Sequence, residues 1–195
     1  TVEDEQHPRQ ALETAGLDWL VRPSVRIDYT YRDKYNNPTT MTTTDKVANV
    51  REDTGEVLGW VGKDYQVVQN SELAELAYSL SGDDTVVESF GSIRNGKRVY
   101  CLVKADSFFA GGDMNDQVDQ YLLLCNGHDG TLALTGLPTS IRVQCANTLN
   151  MALNSGNSKN MFHFSHAGDM MGKLQEARQA LAFFRETGQF FKQTV

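Results

Sequence analysis

The 195-residue sequence contains only four prolines and three cysteines, and it has no long run of apolar residues. Few prolines argue against extended linkers, so a single compact unit is expected. No stretch approaches the roughly 18 apolar residues that a membrane-spanning helix requires. The opening TVEDEQHPRQ is acidic, whereas a signal peptide begins basic and continues apolar. These absences predict a cytoplasmic protein with no membrane partner.

Cysteine content and charge exclude two further classes of protein. Cys101, Cys125 and Cys145 are odd in number and follow no secretion signal, so a disulfide scaffold is not expected. Lysine and arginine total 18 against 25 aspartates and glutamates, which gives a formal net charge of -7. This charge disfavours a protein that binds nucleic acid over its whole surface, but it leaves a local basic groove open.

Alternation of apolar and polar residues predicts several strands and two hairpins. Residues 25–31 alternate in this way, which is typical of a strand. Residues 57–61 and 64–68, which join near Gly62, predict a tight hairpin or a bulged strand. Asn95-Gly96 predicts a second hairpin, because both residues tolerate the positive φ angles of a type I′ turn. One strand of that hairpin would have two faces, formed by Val99, Cys101 and Val103 and by Tyr100, Leu102 and Lys104.

The stretch CNGHDGTLALTGLPTSIRVQCANTLNMAL combines polar and reactive residues with aliphatic ones. Residues 121–126 and 131–135 are expected as strands around GHDG. His128 and Asp129 would lie at the tip of the turn, His128 bonded to local backbone and Asp129 as an Asx-type turn acceptor. SIRVQC, residues 140–145, predicts a further strand.

Helical periodicity predicts three main helices, at 71–81, 146–154 and 169–187. Asn70 or Ser71 is the expected N-cap of the first, and Asp169 that of the last. The last helix has one apolar stripe, formed by Met171, Leu174, Ala177, Leu181 and Phe184.

Charge and periodicity divide the chain into three parts. Residues 1–20 form an acidic N-terminal arm with a short helical pattern that ends at Gly16. Residues 21–168 form an α+β core, a twisted and mainly antiparallel sheet of hairpins with about three helices packed against it. Residues 169–195 form a C-terminal helical segment that packs on the core. This segment has more aromatic rings than one apolar stripe can bury against the core. Part of its surface could therefore also form a homo-oligomer contact, through Phe183, Phe184, Phe190 and Phe191.

Two kinds of chemical site are open around GHDG. The candidate zinc ligands are Cys125, His128, Cys145, His163 and His166. The paired Cys-x-x-Cys spacing is absent, however, and both cysteines equally suit small hydrophobes buried in aliphatic strands. A cysteine nucleophile with His128 and Asp129 would make a hydrolase or transferase, but consecutive strand residues point to opposite faces. We therefore predict no metal, no catalytic residue and, without a glycine-rich phosphate loop, no cofactor.

Cations and aromatic rings are interleaved between Arg22 and Tyr35, a pairing that suits phosphate contacts and base stacking. A basic hairpin end and one strand arginine could line the same groove. The alternative is an ordinary solvated edge strand and hairpin. The predicted nucleic-acid-binding residues are Arg22, Arg26, Tyr29, Tyr31, Arg32, Lys34, Arg94, Lys97, Arg98 and Arg142.

Four motifs in order resemble the phage/plasmid-like protein family, a domain of unknown function encoded on bacteriophages, plasmids and bacterial genomes. They are LGWVGKDYQVVQN, GSIRNGKRVYCLVK, YLLLCNGHDGTLALTGLPTSIRVQCANTL and HAGDMMGKLQEARQAL. The likeness runs from about Gly16 to Leu181. It implies a mobile-element protein and brings no reaction and no catalytic residue. The hairpins followed by helices are also similar in topology to phage single-strand annealing proteins.

The residues and the resemblance together favour a non-enzymatic, phage- or plasmid-associated protein that binds nucleic acid, single-stranded DNA in particular, in an annealing or protective role. Such binding should weaken steeply with salt, because phosphate contacts release counterions. Two alternatives are a zinc- or cysteine-dependent hydrolase or transferase and a module that binds a host protein.

Overall fold

The computed structural model describes residues 8–79, 86–109, 117–154 and 162–187. In these ranges the strand pairs are antiparallel, so the predicted α+β class is confirmed. The elements are α1 (Pro8–Ala15), β1 (Val21–Pro23), β2 (Ile27–Arg32), β3 (Pro38–Thr43), β4 (Lys46–Arg51), β5 (Val57–Gly62), α2 (Asn70–Tyr78), β6 (Val86–Ile93), β7 (Arg98–Phe109), β8 (Gln117–Gly127), β9 (Leu134–Thr139), α3 (Ala146–Asn154), β10 (Phe162–Phe164) and α4 (Met170–Thr187).

A five-stranded sheet in the order β10-β9-β8-β7-β6 separates two apolar cores. The alternation predicted for β7 is confirmed: Val99, Cys101 and Val103 enter the larger core, and Tyr100 and Leu102 enter the smaller one. Residues of α1, α2 and α4 pack in the larger core, whereas α3 packs in the smaller. Since both faces are covered, the central strands are apolar almost throughout, as in β8 with its run of three leucines.

The predicted Asn95-Gly96 turn joins β6 to β7. Asn95 and Gly96 have φ angles of 56° and 87°, and the Lys97 N–H donates to the Arg94 carbonyl over 3.3 Å, as expected of a type I′ turn. A Cβ atom added to Gly96 would lie 2.9 Å from the Trp19 ring. Glycine is therefore required there both by the backbone angle and by the packing.

A second, longer hairpin runs from Val21 to Arg51. Its base is the β1–β4 pair, and β5 adds to β4 to complete a three-stranded sheet. Beyond an irregular step at Ser24, β2 and β3 continue the hairpin as a separate two-stranded sheet, from Ile27 opposite Thr43 to Arg32 opposite Pro38. We call residues 27–43 the ribbon. Most of its side chains are exposed on both faces.

The hairpin predicted from residues 57–61 and 64–68 is wrong. Residues 57–62 do form β5, but β5 pairs with β4 and not with the segment that follows. In that segment the Tyr65 hydroxyl donates to the Gly127 carbonyl, and the Gln66 N–H donates to the His166 carbonyl. Contacts with distant residues thus replace the strand ladder that the local pattern predicts.

The strand predicted at 140–145 is also wrong. The ladder of β9 ends at Thr139, whose hydroxyl accepts a hydrogen bond from the Ile141 N–H. The Thr148 hydroxyl then accepts from the N–H groups of Gln144 and Cys145 and begins α3. The hydroxyls of Thr139 and Thr148 thus accept hydrogen bonds from the backbone N–H groups of this segment, which does not need a partner strand to supply them.

The helix boundaries predicted at Gly16 and Asp169 are confirmed, whereas the predicted N-cap of α2 is not. Gly16, with φ of 67°, ends α1, and the Asp169 carboxylate accepts from the Gly172 N–H to cap α4. Gln69, not Asn70 or Ser71, precedes α2 as its N-cap. None of the helices in the described ranges is both long and apolar enough to cross a membrane.

The stripe on α4 is shifted by one residue at its start. Met170 is buried with Leu174, Ala177 and Leu181, whereas Met171 is 73% exposed. Gly82 and Gly188 directly follow the helices predicted at 71–81 and 169–187 and are the glycines that the sequence predicts to end them. Both lie outside the described residues, as do the four phenylalanine side chains of the predicted subunit contact.

Candidate nucleic-acid interface

One face of the ribbon carries its aromatic rings. Tyr29 and Tyr31 lie two residues apart on β2, with ring centroids 6.4 Å apart, and Met41 lies opposite Tyr29 on β3. The three residues are 50%, 48% and 48% exposed. Strand pairing places six uncharged residues on this surface, which we call the ring face: Ile27, Tyr29, Tyr31, Thr39, Met41 and Thr43.

The opposite face of the ribbon is polar, and its side chains form hydrogen bonds with one another. Arg26 Nε donates to Asp28 Oδ1 over 2.9 Å, and the Thr42 hydroxyl donates to the same oxygen over 2.6 Å. The hydroxyls of Thr30 and Thr40 share a hydrogen bond of 2.9 Å. The bonds from Arg26 and Thr42 hold the pKa of Asp28 below its ordinary value, so the carboxylate stays charged beside Arg26.

The ribbon ends in a turn over residues 33–37. The Asp33 carboxylate accepts from the backbone N–H groups of Tyr35 and Asn37, and these bonds lower its pKa. Lys34 Nζ lies 4.9 Å from the centroid of the Tyr35 ring, and an Arg32 guanidinium nitrogen donates to a turn carbonyl. Within the described ranges no carboxylate forms an ion pair with either cation of this tip.

Three of the predicted cations are paired with carboxylates. Arg26 pairs with Asp28 as described, and Arg22 Nε lies 3.2 Å from Glu52 Oε2. Arg142 lies 2.7 Å from Glu88, next to Val143 of the smaller core. All three arginine side chains are more than half exposed, so these ion pairs offset their charge only in part.

The other basic hairpin end packs against the body of the protein. Arg94 is exposed, but Lys97 and Arg98 are only partly exposed, and an Arg98 nitrogen donates to the Thr131 hydroxyl over 3.0 Å. The Lys97 carbonyl accepts from the His128 N–H. Among the described residues no hydrogen bond or ion pair joins this turn to the ribbon. The ten predicted residues thus lie on separate elements and do not form one contact network.

His128 lies in the turn after β8, as predicted, but its side chain is fully buried and bonds to a distant residue instead of to local backbone. Its Nε2 lies 3.0 Å from Asn70 Oδ1, and its carbonyl accepts from the Asn49 side chain over 2.8 Å. The Asn70 side-chain nitrogen donates to the Leu17 carbonyl, so Asn70 Oδ1 is the atom that faces His128 and can only accept. The proton of the neutral histidine is therefore assigned to Nε2. The Asp129 carboxylate, in contrast, accepts from the Thr131 N–H, as predicted for a turn acceptor.

Burial governs the ionisation of this histidine. It lowers the pKa of His128 to about 4, with a smaller contribution from nearby His166, while Asp129 acts in the opposite direction. Its Nδ1 atom is buried and has no partner in the described part of the chain. His166 stacks on Tyr65 with centroids 4.6 Å apart, and burial lowers its pKa as well. Asn49 of β4 and Asn70 of α2 both bond to His128, which follows β8 directly, and we call these three residues the joint. Because His128 is buried there, it serves the structure and is not an accessible catalytic base.

The cysteines and histidines do not meet as a metal site in the described ranges, where no three candidate ligands lie close enough to hold an ion. Cys125 faces the smaller core, and burial raises the pKa of its thiol to about 12. His128 lies on the side of Trp19, which belongs to the larger core. Cys145 was predicted to be buried but is exposed, and hydrogen bonds with Thr148 lower its pKa.

Sequence reasoning did not identify Met41 as part of the candidate interface. The register of β2 and β3 alone places it beside Tyr29. It also did not identify Asn49 and Asn70 as partners of His128, because they are 79 and 58 residues away in the chain.

Comparison with known proteins identifies a family. No curated protein and no solved structure matches the chain. The family described as "Domain of unknown function (DUF932)" matches residues 57–195, which include the whole five-stranded sheet and exclude the ribbon. The chain therefore belongs to this family of domains of unknown function.

Proposed function

We propose that the chain binds nucleic acid through the ribbon and catalyses no reaction. The observation that supports this best is the exposure of Tyr29 and Tyr31 on a ribbon whose tip carries Arg32 and Lys34 without a carboxylate pair in the described ranges. Aromatic faces stack on bases, and cations hold phosphates. The mobile-element setting that the resemblance implies supports the same kind of partner.

The proposed interface is smaller than the one the sequence suggests. Arg22, Arg26 and Arg142 are engaged by carboxylates, which leaves Arg32 and Lys34 as the principal phosphate contacts of the ribbon. For a single strand the logarithm of affinity falls by about 0.7 per contact for each tenfold increase in salt, so a slope of about -1 to -2 is expected. The salt dependence is therefore shallow, in contrast to the steep dependence expected from all the cations together.

Fluorescence anisotropy of a labelled oligonucleotide tests the proposal. The double variant Arg32→Gln and Lys34→Gln should weaken binding and bring the salt slope close to zero. The matched control is Arg142→Gln, which removes a cation that is already paired with Glu88 and should leave binding unchanged. Absence of binding by the unchanged chain at micromolar concentration, or an equal loss in both variants, would overturn the proposal.

The enzymatic alternative has no comparable support among the described residues. A cysteine nucleophile needs a base within hydrogen-bond reach, but Cys125 and His128 lie on opposite sides of the sheet. A host-protein partner and contact between identical subunits stay predictions from the sequence.

A further inference from the structure

We infer that the ring face takes the bases of an unpaired strand, so that the ribbon selects single-stranded over duplex nucleic acid. This rests on the proposed nucleic-acid function and names its substrate class.

The ring face has no charged side chain with which to hold a phosphate. Its exposed groups are the rings of Tyr29 and Tyr31 and the thioether of Met41. A duplex presents phosphates and groove edges while its bases cover one another. An uncharged aromatic surface finds a matching flat surface only where bases are unpaired.

The spacing of the two rings favours the same substrate. Their centroids are 6.4 Å apart and their planes are inclined by 33°. This separation is nearly twice the rise of roughly 3.4 Å between stacked bases in one strand of a duplex. Successive bases can therefore lie on the two rings only after they have separated from each other, which base pairing within a duplex prevents.

Arg32 shares the opposite face of the ribbon with Asp28 and Thr30, and apart from this one cation the face gives little to a duplex groove. Groove recognition requires free donors and acceptors, and the hydroxyls of Thr30 and Thr40 use part of their hydrogen-bonding capacity on each other. The Asp28 carboxylate, held charged on this face, would repel phosphate. Only the ring face and the tip remain open to a ligand, and together they suit a strand whose bases lie on the rings and whose backbone passes Lys34.

Anisotropy titrations with a fluorescein-labelled oligothymidylate and with a labelled duplex of the same length test this inference. Oligothymidylate should bind about tenfold or more tightly than the duplex. The variant Tyr29→Ala, Tyr31→Ala should lose roughly tenfold in affinity for each ring, the order expected for a stacked base. The variant Tyr29→Phe, Tyr31→Phe keeps both rings and should bind as the unchanged chain does.

Thr40→Val on the opposite face is the matched control and should not alter binding. Circular dichroism spectra should be identical for all variants, because the ring face lies outside both cores. Equal affinity for duplex and single strand, or the same affinity loss with phenylalanine as with alanine, would overturn the inference and leave the proposed function standing. Failure to bind either nucleic acid would instead overturn the proposed function.

Discussion

The ribbon and the five-stranded sheet are both antiparallel β-structure, yet they have opposite surroundings. In β7 and β8 successive side chains enter two cores, whereas in the ribbon most side chains face solvent. The family match covers the sheet and begins after the ribbon ends. Burial therefore stabilises the sheet, whereas the ribbon buries few side chains and should contribute little to the free energy of unfolding.

The largest expected effect is the removal of a side chain from the sheet. Leu124→Ala removes three carbon atoms from a fully buried side chain on β8. Such a truncation leaves a cavity and should lower the free energy of unfolding by about 2–5 kcal/mol. Urea denaturation measures it, and a loss close to zero would show that the larger core is not the main source of stability.

The joint around His128 should make the free energy of unfolding depend on pH. Because the folded-state pKa of His128, about 4, is below its ordinary value of 6.5, protons bind preferentially to the unfolded chain. Stability should therefore fall as the pH decreases from 6.5 towards 4, by about 3 kcal/mol from this residue. Burial of His166 has the same sign.

His128→Gln should reduce this acid dependence, since the amide can donate to Asn70 and does not titrate. Denaturation midpoints measured between pH 7 and 4 give the comparison. His163→Gln is the control, because it replaces an exposed histidine that does not belong to the joint. An unchanged acid dependence in His128→Gln would contradict the assignment of the joint.

The smallest effect is expected in the ribbon. Met41→Ala also truncates a large apolar side chain, but at a position that is 48% exposed. The free energy of unfolding should change by less than about 0.5 kcal/mol, as is usual for surface substitutions. A loss similar to that of Leu124→Ala would mean that another surface buries the ring face.

Local signals in the sequence predict a large part of the fold. The turn at Asn95-Gly96, the two faces of β7 and the caps at Gly16 and Asp169 depend on a few neighbouring residues, and all are found in the structure. The alternation of side chains between the two faces of β2 can be predicted from the sequence in the same way. It also implies that interleaved rings and cations separate onto opposite faces, which the predicted binding set did not take into account.

Features that depend on distant partners could not be predicted in this way. The GHDG sequence is typical of an exposed turn, but Asn49 and Asn70 bond to His128 and bury it. A Cβ atom added to Gly59 would lie 2.4 Å from the Asp129 Cα atom, so this turn packs directly on β5. The local pattern contains no sign of these contacts, because each depends on how the two sheets meet.

The most direct test asks whether the ribbon serves binding while the rest of the chain provides stability. In this test, residues 27–43 are replaced by Asn-Gly, a two-residue turn between Arg26 and Thr44. The shortened chain should unfold at the same urea concentration as the intact one and should lose its affinity for oligothymidylate. Retention of full affinity, or loss of the folded state, would contradict the account.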